Sequence, residues 1–273
     1  MIGLCAAPMA PPDVIKLGGE VISGSGLDAL ATDLARLGPL VVVHGGGKLA
    51  SDLQRSLGQT PRVVHGRRVT DDGALEVIKM TVAGKMNVDL CAALLRAGAR
   101  PVGLHGASSC AVRATRQPPT DTPEGLIDYG HVGEVVGVND ELLRLLLSAG
   151  FTPVLSCVGA DHNGAVYNIN ADAVANRVAL HLHARRLFLI SDVPGILRDI
   201  KDPSSRIEKL SASQAEHAIR SGIVSGGMVP KVEESLAALR AGLSEVHVLG
   251  RLGAGDLARA AAAPGSVGTV LTK

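Results

Sequence analysis

Apolar positions along the chain follow two alternating rhythms. Nearly continuous aliphatic runs at 14–17, 40–43, 101–104, 153–158 and 187–190 end in or next to glycine, histidine or aspartate, as buried strands do. Between them, residues 27–37, 49–57, 86–97, 139–149 and 171–183 repeat their apolar positions at three and four residues, which predicts amphipathic helices. Continuous apolar strands need cover on both faces. The alternation therefore predicts an α/β protein, a mainly parallel sheet between two layers of helices, with ligands beyond the carboxyl ends of the strands.

Local signals sharpen this parse. Gly38-Pro39 stops the first helix, Asn139 caps another with Val138 and Leu143 placed as a hydrophobic staple, and Ser211 with Gln214 forms a capping box closed by Gly222. Pro230 stands early in a helix running to about 239. Residues 112–115 and 131–136, separated by the Pro- and Gly-rich stretch 117–130, predict a hairpin with a long loop, a lid over a substrate. No internal repeat, low-complexity tract or linker is evident.

Composition narrows the partners. A chain of 273 residues has room for two lobes sharing one cleft. With Trp 0, Tyr 2, Phe 2 and a formal net charge of +1 it has neither stacking platforms nor a basic field, which argues against nucleic acid. The longest apolar runs fall far short of the roughly 20 residues that span a bilayer. Residues 1–12 carry Pro8, Pro11 and Pro12 and no basic start, so they read as a disordered lead-in and not a signal peptide, with the cytoplasm as the expected compartment. Cys5, Cys91, Cys110 and Cys157 lack ligand spacing, and His181 and His183, two apart on an expected helix, point to different faces. Free thiols and no protein-held metal are expected.

One stretch stands out chemically. A strand at 40–43 meets a helix at 49–57 through His44-Gly45-Gly46-Gly47-Lys48, where bare glycine amides and a helix start form an anion cradle. Lys16 lies inside the first strand and just before Gly18-Gly19, and Lys231 follows Gly226-Gly227 at another helix start. As an alternative, Lys16 is an edge-strand charge that resists aggregation. The chain lacks G-x-G-x-x-G after a strand, and Gly47-Lys48-Leu49 and Gly84-Lys85-Met86 lack the hydroxyl of a Walker A loop. The nucleophile elbow and paired-histidine motifs are absent too. Two lysines and two glycine turns suit phosphoryl transfer, which needs positioning and charge neutralisation. No general base accompanies them, which fits a carboxylate acceptor already ionised at neutral pH.

Eight ordered motifs carry a resemblance. They are Val14-Ile15-Lys16-Leu17-Gly18-Gly19, His44-Gly45-Gly46-Gly47, Gly66-Arg67-Arg68-Val69-Thr70, Val82-Ala83-Gly84-Lys85-Met86-Asn87, Val132-Gly133-Glu134-Val135, Asn168-Ile169-Asn170-Ala171-Asp172, Ser191-Asp192-Val193-Pro194-Gly195 and Gly226-Gly227-Met228-Val229-Pro230-Lys231. Together they resemble the amino acid kinase family, and within it the acetylglutamate kinases. The resemblance implies a three-layer αβα sandwich of two lobes, residues 13–184 for the amino acid and dimerisation and 185–273 for ATP. It implies ATP-dependent phosphorylation of the side-chain carboxylate of N-acetyl-L-glutamate in arginine biosynthesis, with magnesium held mainly by the ATP phosphates.

By the same likeness, Lys16 and Lys231 stabilise the moving phosphoryl group and Asp172 holds both lysines. Gly45, Gly46, Arg68 and Asn168 meet the amino acid. Gly18, Gly19, Asp192, Val193, Pro194, Gly195, Ile196, Leu197, Ile223, Val224 and Ser225 border ATP. Two positions depart from the family's habit: Lys48, where proline is common, and 105–110, where an Asp-Gly pair is common. The rival expectations are another amino acid kinase, acting on a carrier-linked aminoadipate or glutamate, and a catalytically silent sensor of the same fold. Arginine-inhibited relatives carry a long amino-terminal helix, whereas the stretch before Val14 is short and proline-broken, so an arginine-insensitive homodimer is expected.

Overall fold

The structure, a computed structural model, describes residues 10–122, 125–199, 201–224, 226 and 228–273. Most of the expected lead-in, residues 1–9, lies outside the described residues. The aliphatic runs form the strands β1 (Asp13–Leu17), β2 (Leu40–His44), β3 (Pro101–Leu104), β4 (Thr152–Ser156), β5 (Arg186–Ile190), β6 (Lys209–Ser211), β7 (Glu245–Leu249) and β8 (Thr269–Thr272). They make one sheet in the order β6-β8-β7-β5-β1-β2-β4-β3. Six strands are parallel, while β8 pairs antiparallel with β7 and parallel with β6.

Successive strand residues face opposite sides, and the core divides accordingly. Val14, Val41 and Val43 join one apolar cluster, and Ile15, Leu17 and Val42 join the other. The first cluster is closed by α5 (Asp140–Ser148), α6 (Ala171–His181), α7 (Ala212–Arg220) and α8 (Met228–Arg240), reached after α1 (Leu27–Arg36), α2 (Gly47–Ser56), α3 (Asp72–Ile78) and α4 (Asn87–Arg96) in the chain. The second is closed by α1, α4 and α9 (Asp256–Ala262). This is the αβα sandwich that the alternation predicts. Burying each aliphatic side chain contributes about 1.5–3 kcal/mol, so two aliphatic faces replace the missing aromatic core.

Four details differ from the sequence reading or refine it. The helix expected at 86–97 begins much earlier: α3 runs through π-helical turns at Lys79–Met86 directly into α4. The wider turns shift the apolar phase by a residue, which hides the continuity from a search at period 3.6. His183 lies beyond α6, at φ 51°. Lys16 is on β1, in the middle of the sheet between β5 and β2, so the edge-strand alternative is wrong. The expected hairpin is present as Val112–Arg116 paired antiparallel with Gly133–Val138, and its loop carries a ribbon of its own, Thr120–Thr122 against Gly125–Ile127.

The caps form as expected: Asn139 accepts from the Leu142 amide, and Ser211 and Gln214 close a reciprocal box. No helix among the described residues is long and apolar enough to cross a membrane.

Candidate active site

β1, β2 and β5 end in register, Leu17 opposite both His44 and Ile190. The turns that follow them therefore emerge side by side. Gly18 donates its amide to Ile190 O at 3.0 Å and Gly45 donates to Leu17 O at 3.2 Å. These two amides hold the sheet edge together and are not available to an anion, which corrects the simple cradle. Gly46, the N-cap of α2, and Gly47, its first residue, stand where helix amides lack intrahelical partners.

Close packing also explains the glycines. A Cβ on Gly19 would stand 3.0 Å from Gly46 Cα, and one on Gly46 would stand 2.5 Å from Met86 Sδ and 2.9 Å from Val82 Cγ2. The two turns touch each other and rest on the π-helical segment. His44 is fully buried, with Asn87 donating to its Nε2 at 3.0 Å, and burial pushes its imidazole down to about 4. It is a neutral structural tether. Lys48 points into solvent and pairs with Asp52 one turn on at 3.0 Å, so its charge serves α2 and not the turn.

The centre of the site is an ion triplet. Lys16 is 8% exposed, and its ammonium lies 3.0 Å from Asp172 Oδ1, while Lys231 Nζ lies 3.3 Å from Asp172 Oδ2. Each element contributes for a local reason. The sheet alternation turns Lys16 to the face that carries α6. Asn170 caps α6 and accepts the Asp172 amide at 2.8 Å. Pro230 and Lys231 follow Met228 and Val229 in the first turn of α8. Burial raises the Asp172 carboxyl, but the Lys16 and Lys231 ammoniums outweigh burial and hold it below its ordinary 3.8. The triplet has one positive charge in excess, directed to the edge where the glycine turns emerge. It can neutralise a polyanion while its own cations stay fixed. Cys157 nearby is buried and its thiol is pushed up to about 11, so it is no nucleophile.

Arg68 is the second anchor. Its guanidinium donates to Gln54 Oε1 at 2.6 Å, Ser51 Oγ at 2.6 Å and Gly47 O at 2.7 Å, which places it against the glycine turn. Asn168 donates to Thr70 Oγ1 at 3.0 Å, and that hydroxyl donates to Arg68 O at 3.2 Å. Thr70 thus joins Arg68 to Asn168, while Gln54 and Ser51 tie its guanidinium to α2, linkages that no spacing in the sequence announces.

The segment expected to border ATP leaves β5 beside the first glycine turn, with Ser191 Cα 3.8 Å from the position of a Gly18 Cβ. Asp192 and Pro194 are exposed, Val193 and Leu197 half-buried, and Gly195 sits at φ 137° against Thr269. Ile196 is 1% exposed and Val224 3%, so both side chains belong to the apolar core, while Ile223 is exposed. Ser225 lies outside the described residues. Glu234, which the sequence reading overlooked, follows Lys231 by one helical turn. Burial and the Asp172 charge raise its carboxyl above the ordinary 4.5.

A parallel sheet with two buried lysines sharing one aspartate at its carboxyl edge defines a class of phosphoryl-transfer fold. The chain belongs to the amino acid kinase family, whose sequence profile matches residues 13–250. Among curated relatives it is 56% identical to the acetylglutamate kinase of Sorangium cellulosum over 95% of this chain and 94% of that one. It is 39% identical to the acetylglutamate kinase of Methanocaldococcus jannaschii over 86% and 82%. Among solved structures it is similar to N-acetylglutamate synthase from Neisseria gonorrhoeae complexed with coenzyme A and L-arginine, with a TM-score of 0.83 and 25% identity. The match covers 97% of this chain but only 62% of the synthase. Carbamate kinase from Giardia lamblia bound to AMP-PNP shares the fold, with a TM-score of 0.68 and 16% identity.

Proposed function

We propose that this chain transfers the γ-phosphoryl group of ATP to the side-chain carboxylate of N-acetyl-L-glutamate, giving N-acetyl-L-glutamyl 5-phosphate and ADP, a step of arginine biosynthesis. The observation that carries the reading is the Lys16–Asp172–Lys231 triplet, in a chain 56% identical to an acetylglutamate kinase. A carboxylate oxygen attacks the γ-phosphorus, the bond to the β-phosphate oxygen breaks, and no proton moves. Lys16 and Lys231 hold the charge of the group in flight and Asp172 keeps both ammoniums aimed. Arg68 takes the acceptor's α-carboxylate, exchanging part of its hold on α2, and Gly45, Gly46 and Asn168 line the acceptor.

Gly18, Gly19, the segment 192–197 and residues 223 and 224 border the nucleotide, with Ile196 and Val224 shaping that wall from the core side. By the family resemblance, magnesium would ride on the ATP phosphates. When bound, it would add neutralising charge at the phosphates to that of Lys16 and Lys231. The proposed compartment is the cytoplasm, where ATP is supplied.

A coupled ADP-release assay with N-acetylglutamate, glutamate, aspartate and UMP tests this reading. Turnover with N-acetylglutamate far above the others is expected. Preference for another acceptor would move the chain to a different member of the family, and no turnover at all would favour the silent sensor. In the same assay Arg68→Lys raises KM for the acceptor and changes kcat little, because a lysine cannot supply the planar fork. An unchanged KM would remove Arg68 from the carboxylate.

The proposed assembly is a homodimer. Met80, Val88 and Leu95 are 52%, 64% and 62% exposed on the π segment and α4, beside β3 at the end of the sheet. Such an apolar stripe next to an open strand edge suits a second copy. Light scattering should give twice the chain mass, and arginine should leave the rate unchanged. A monomer or a hexamer would contradict the dimer, and strong inhibition would contradict the insensitivity.

A further inference from the structure

The long loop of the hairpin, which the sequence suggests as a lid, returns through residues 128–132, and this stretch passes between two parts of the acceptor site. Thr70 follows the small ribbon of Val63–Val64 against Arg67–Arg68. It donates its amide to Tyr129 O at 2.9 Å, His131 donates to Thr70 O at 2.7 Å, and Asn168 donates to His131 O at 2.8 Å. His131 alone therefore spans from Thr70 to Asn168 through its own peptide groups. Each side of this ladder is a single bridge, Thr70 with Gly130 and Val132 with Asn168, so few backbone bonds hold it in place.

Three further fastenings act on the stretch. Arg116 of the hairpin donates from Nε to Gly130 O at 3.2 Å and pairs with Asp128 at 2.8 Å, and Asp128 accepts the Gly130 amide at 2.8 Å. Gly130 has φ 71°, and a Cβ there would stand 2.4 Å from Thr70 O, so a side chain would both strain the turn and push Thr70 away. His131 Nε2 lies 2.7 Å from Oδ1 of Asp72, the first residue of α3. The imidazole thus ties the stretch to the segment just after Thr70, while the backbone holds Thr70 itself. Thr70 is fully buried, and its hydroxyl already joins Arg68 O to the Asn168 side chain.

We propose that residues 128–132 are a positioning strap for the acceptor, in which Gly130 and His131 hold Thr70 against Asn168 and so fix the spacing between Arg68 and Asn168. The proposal rests on the reading of Arg68 and Asn168 as acceptor contacts. A bidentate hold on a carboxylate depends on angle as well as distance, so a shift of Thr70 weakens it. Gly130 and His131 act through Thr70 and do not themselves touch substrate. None of the bonds of the strap involves Lys16, Asp172 or Lys231, so the phosphoryl site stays as it is when the strap loosens.

The test compares Gly130→Ala, His131→Ala and His131→Gln with the unaltered protein by ADP-release kinetics and by amide hydrogen exchange without substrates. The His131 and Asp72 side chains are 41% and 96% exposed, and exposed charge pairs are weak, so His131→Ala should raise the acceptor KM by about threefold to fivefold. Gly130→Ala, which moves the backbone, should raise it by about tenfold or more. In both, kcat and KM for ATP should stay within about twofold, the pattern of a lost ground-state contact to one substrate. His131→Gln, whose amide can donate to Asp72, should recover most of the loss. In the alanine variants the amides of Thr70, residue 131 and Asn168 should exchange faster, while those of β1 and β5 keep their protection. If Gly130→Ala does not fold, the two His131 variants carry the test. An unchanged acceptor KM in the alanine variants, equal rises in both KM values, or a fall in kcat that merely follows the folded fraction would overturn the strap, as would unchanged exchange at positions 70 and 168. If the unaltered protein turns over no acceptor, the acceptor reading fails by itself, and exchange still decides whether residues 128–132 hold Thr70 against Asn168.

Discussion

Lys231→Ala is expected to lower kcat by about a hundredfold or more, the scale of losing one preorganised donor to a developing anion. The ammonium stands 3.3 Å from Asp172 Oδ2 at the start of α8, and its side chain is 14% exposed, so it is held in place before substrate arrives. Its removal takes away a charge that is felt most strongly when the phosphoryl group is between donor and acceptor. KM for N-acetylglutamate should change far less than kcat, because the proposed hold on the acceptor is by Arg68 and the glycine turn. Single-turnover kinetics give the cleanest comparison. A kcat within threefold of the unaltered enzyme would take Lys231 out of the phosphoryl site.

Asp172→Asn should cost both activity and stability. The side chain keeps its shape but loses the charge that two buried ammoniums share, and breaking a buried pair from one side typically costs about 3–5 kcal/mol. For a chain of this size that corresponds to a fall in melting temperature of roughly 10 °C. Activity should fall at least as far as in Lys231→Ala, since both lysines lose their anchor.

The pH dependence follows from the direction of the shift. Because the folded carboxyl lies below 3.8, its contribution is complete above the unfolded-state value and is lost as pH falls through the lowered folded one. The melting-temperature gap between the two proteins should therefore be full at neutral pH and narrow only in acid below 3.8. A variant that melts with the parent, or a gap that closes near neutrality, would show that Asp172 does not carry the charge of the triplet.

The aliphatic runs and the periodic segments between them determined the sandwich, because strands without polar positions can exist only with cover on both faces. Caps at Asn139 and Ser211 were readable for the same local reason: a side chain within three residues satisfies a helix amide. The lysines were readable as well, since a charge inside an apolar strand or behind a glycine pair needs a partner. Their meeting on Asp172 was implied by resemblance and is placed by the fold, which brings positions 16, 172 and 231 together from β1, α6 and α8.

Other features lay beyond local pattern. The glycine turn at 45–47 looked like an anion cradle, and the tightest constraint on Gly46 turned out to be its approach to the Gly19 turn and to Met86. Lys48, which sequence alone left unexplained, is a solvent-facing partner of Asp52. Thr70 and His131 acquire meaning only when the Arg67–Arg68 ribbon, residues 128–132 and Asn168 lie side by side. Sequence by itself determined which segments are strands and helices and which residues carry charge, because those depend on neighbours within one or two turns. Tertiary structure decided which amides are free, which charges are shared and which residues span from Thr70 to Asn168, because each of those depends on atoms far apart in the chain and close in space.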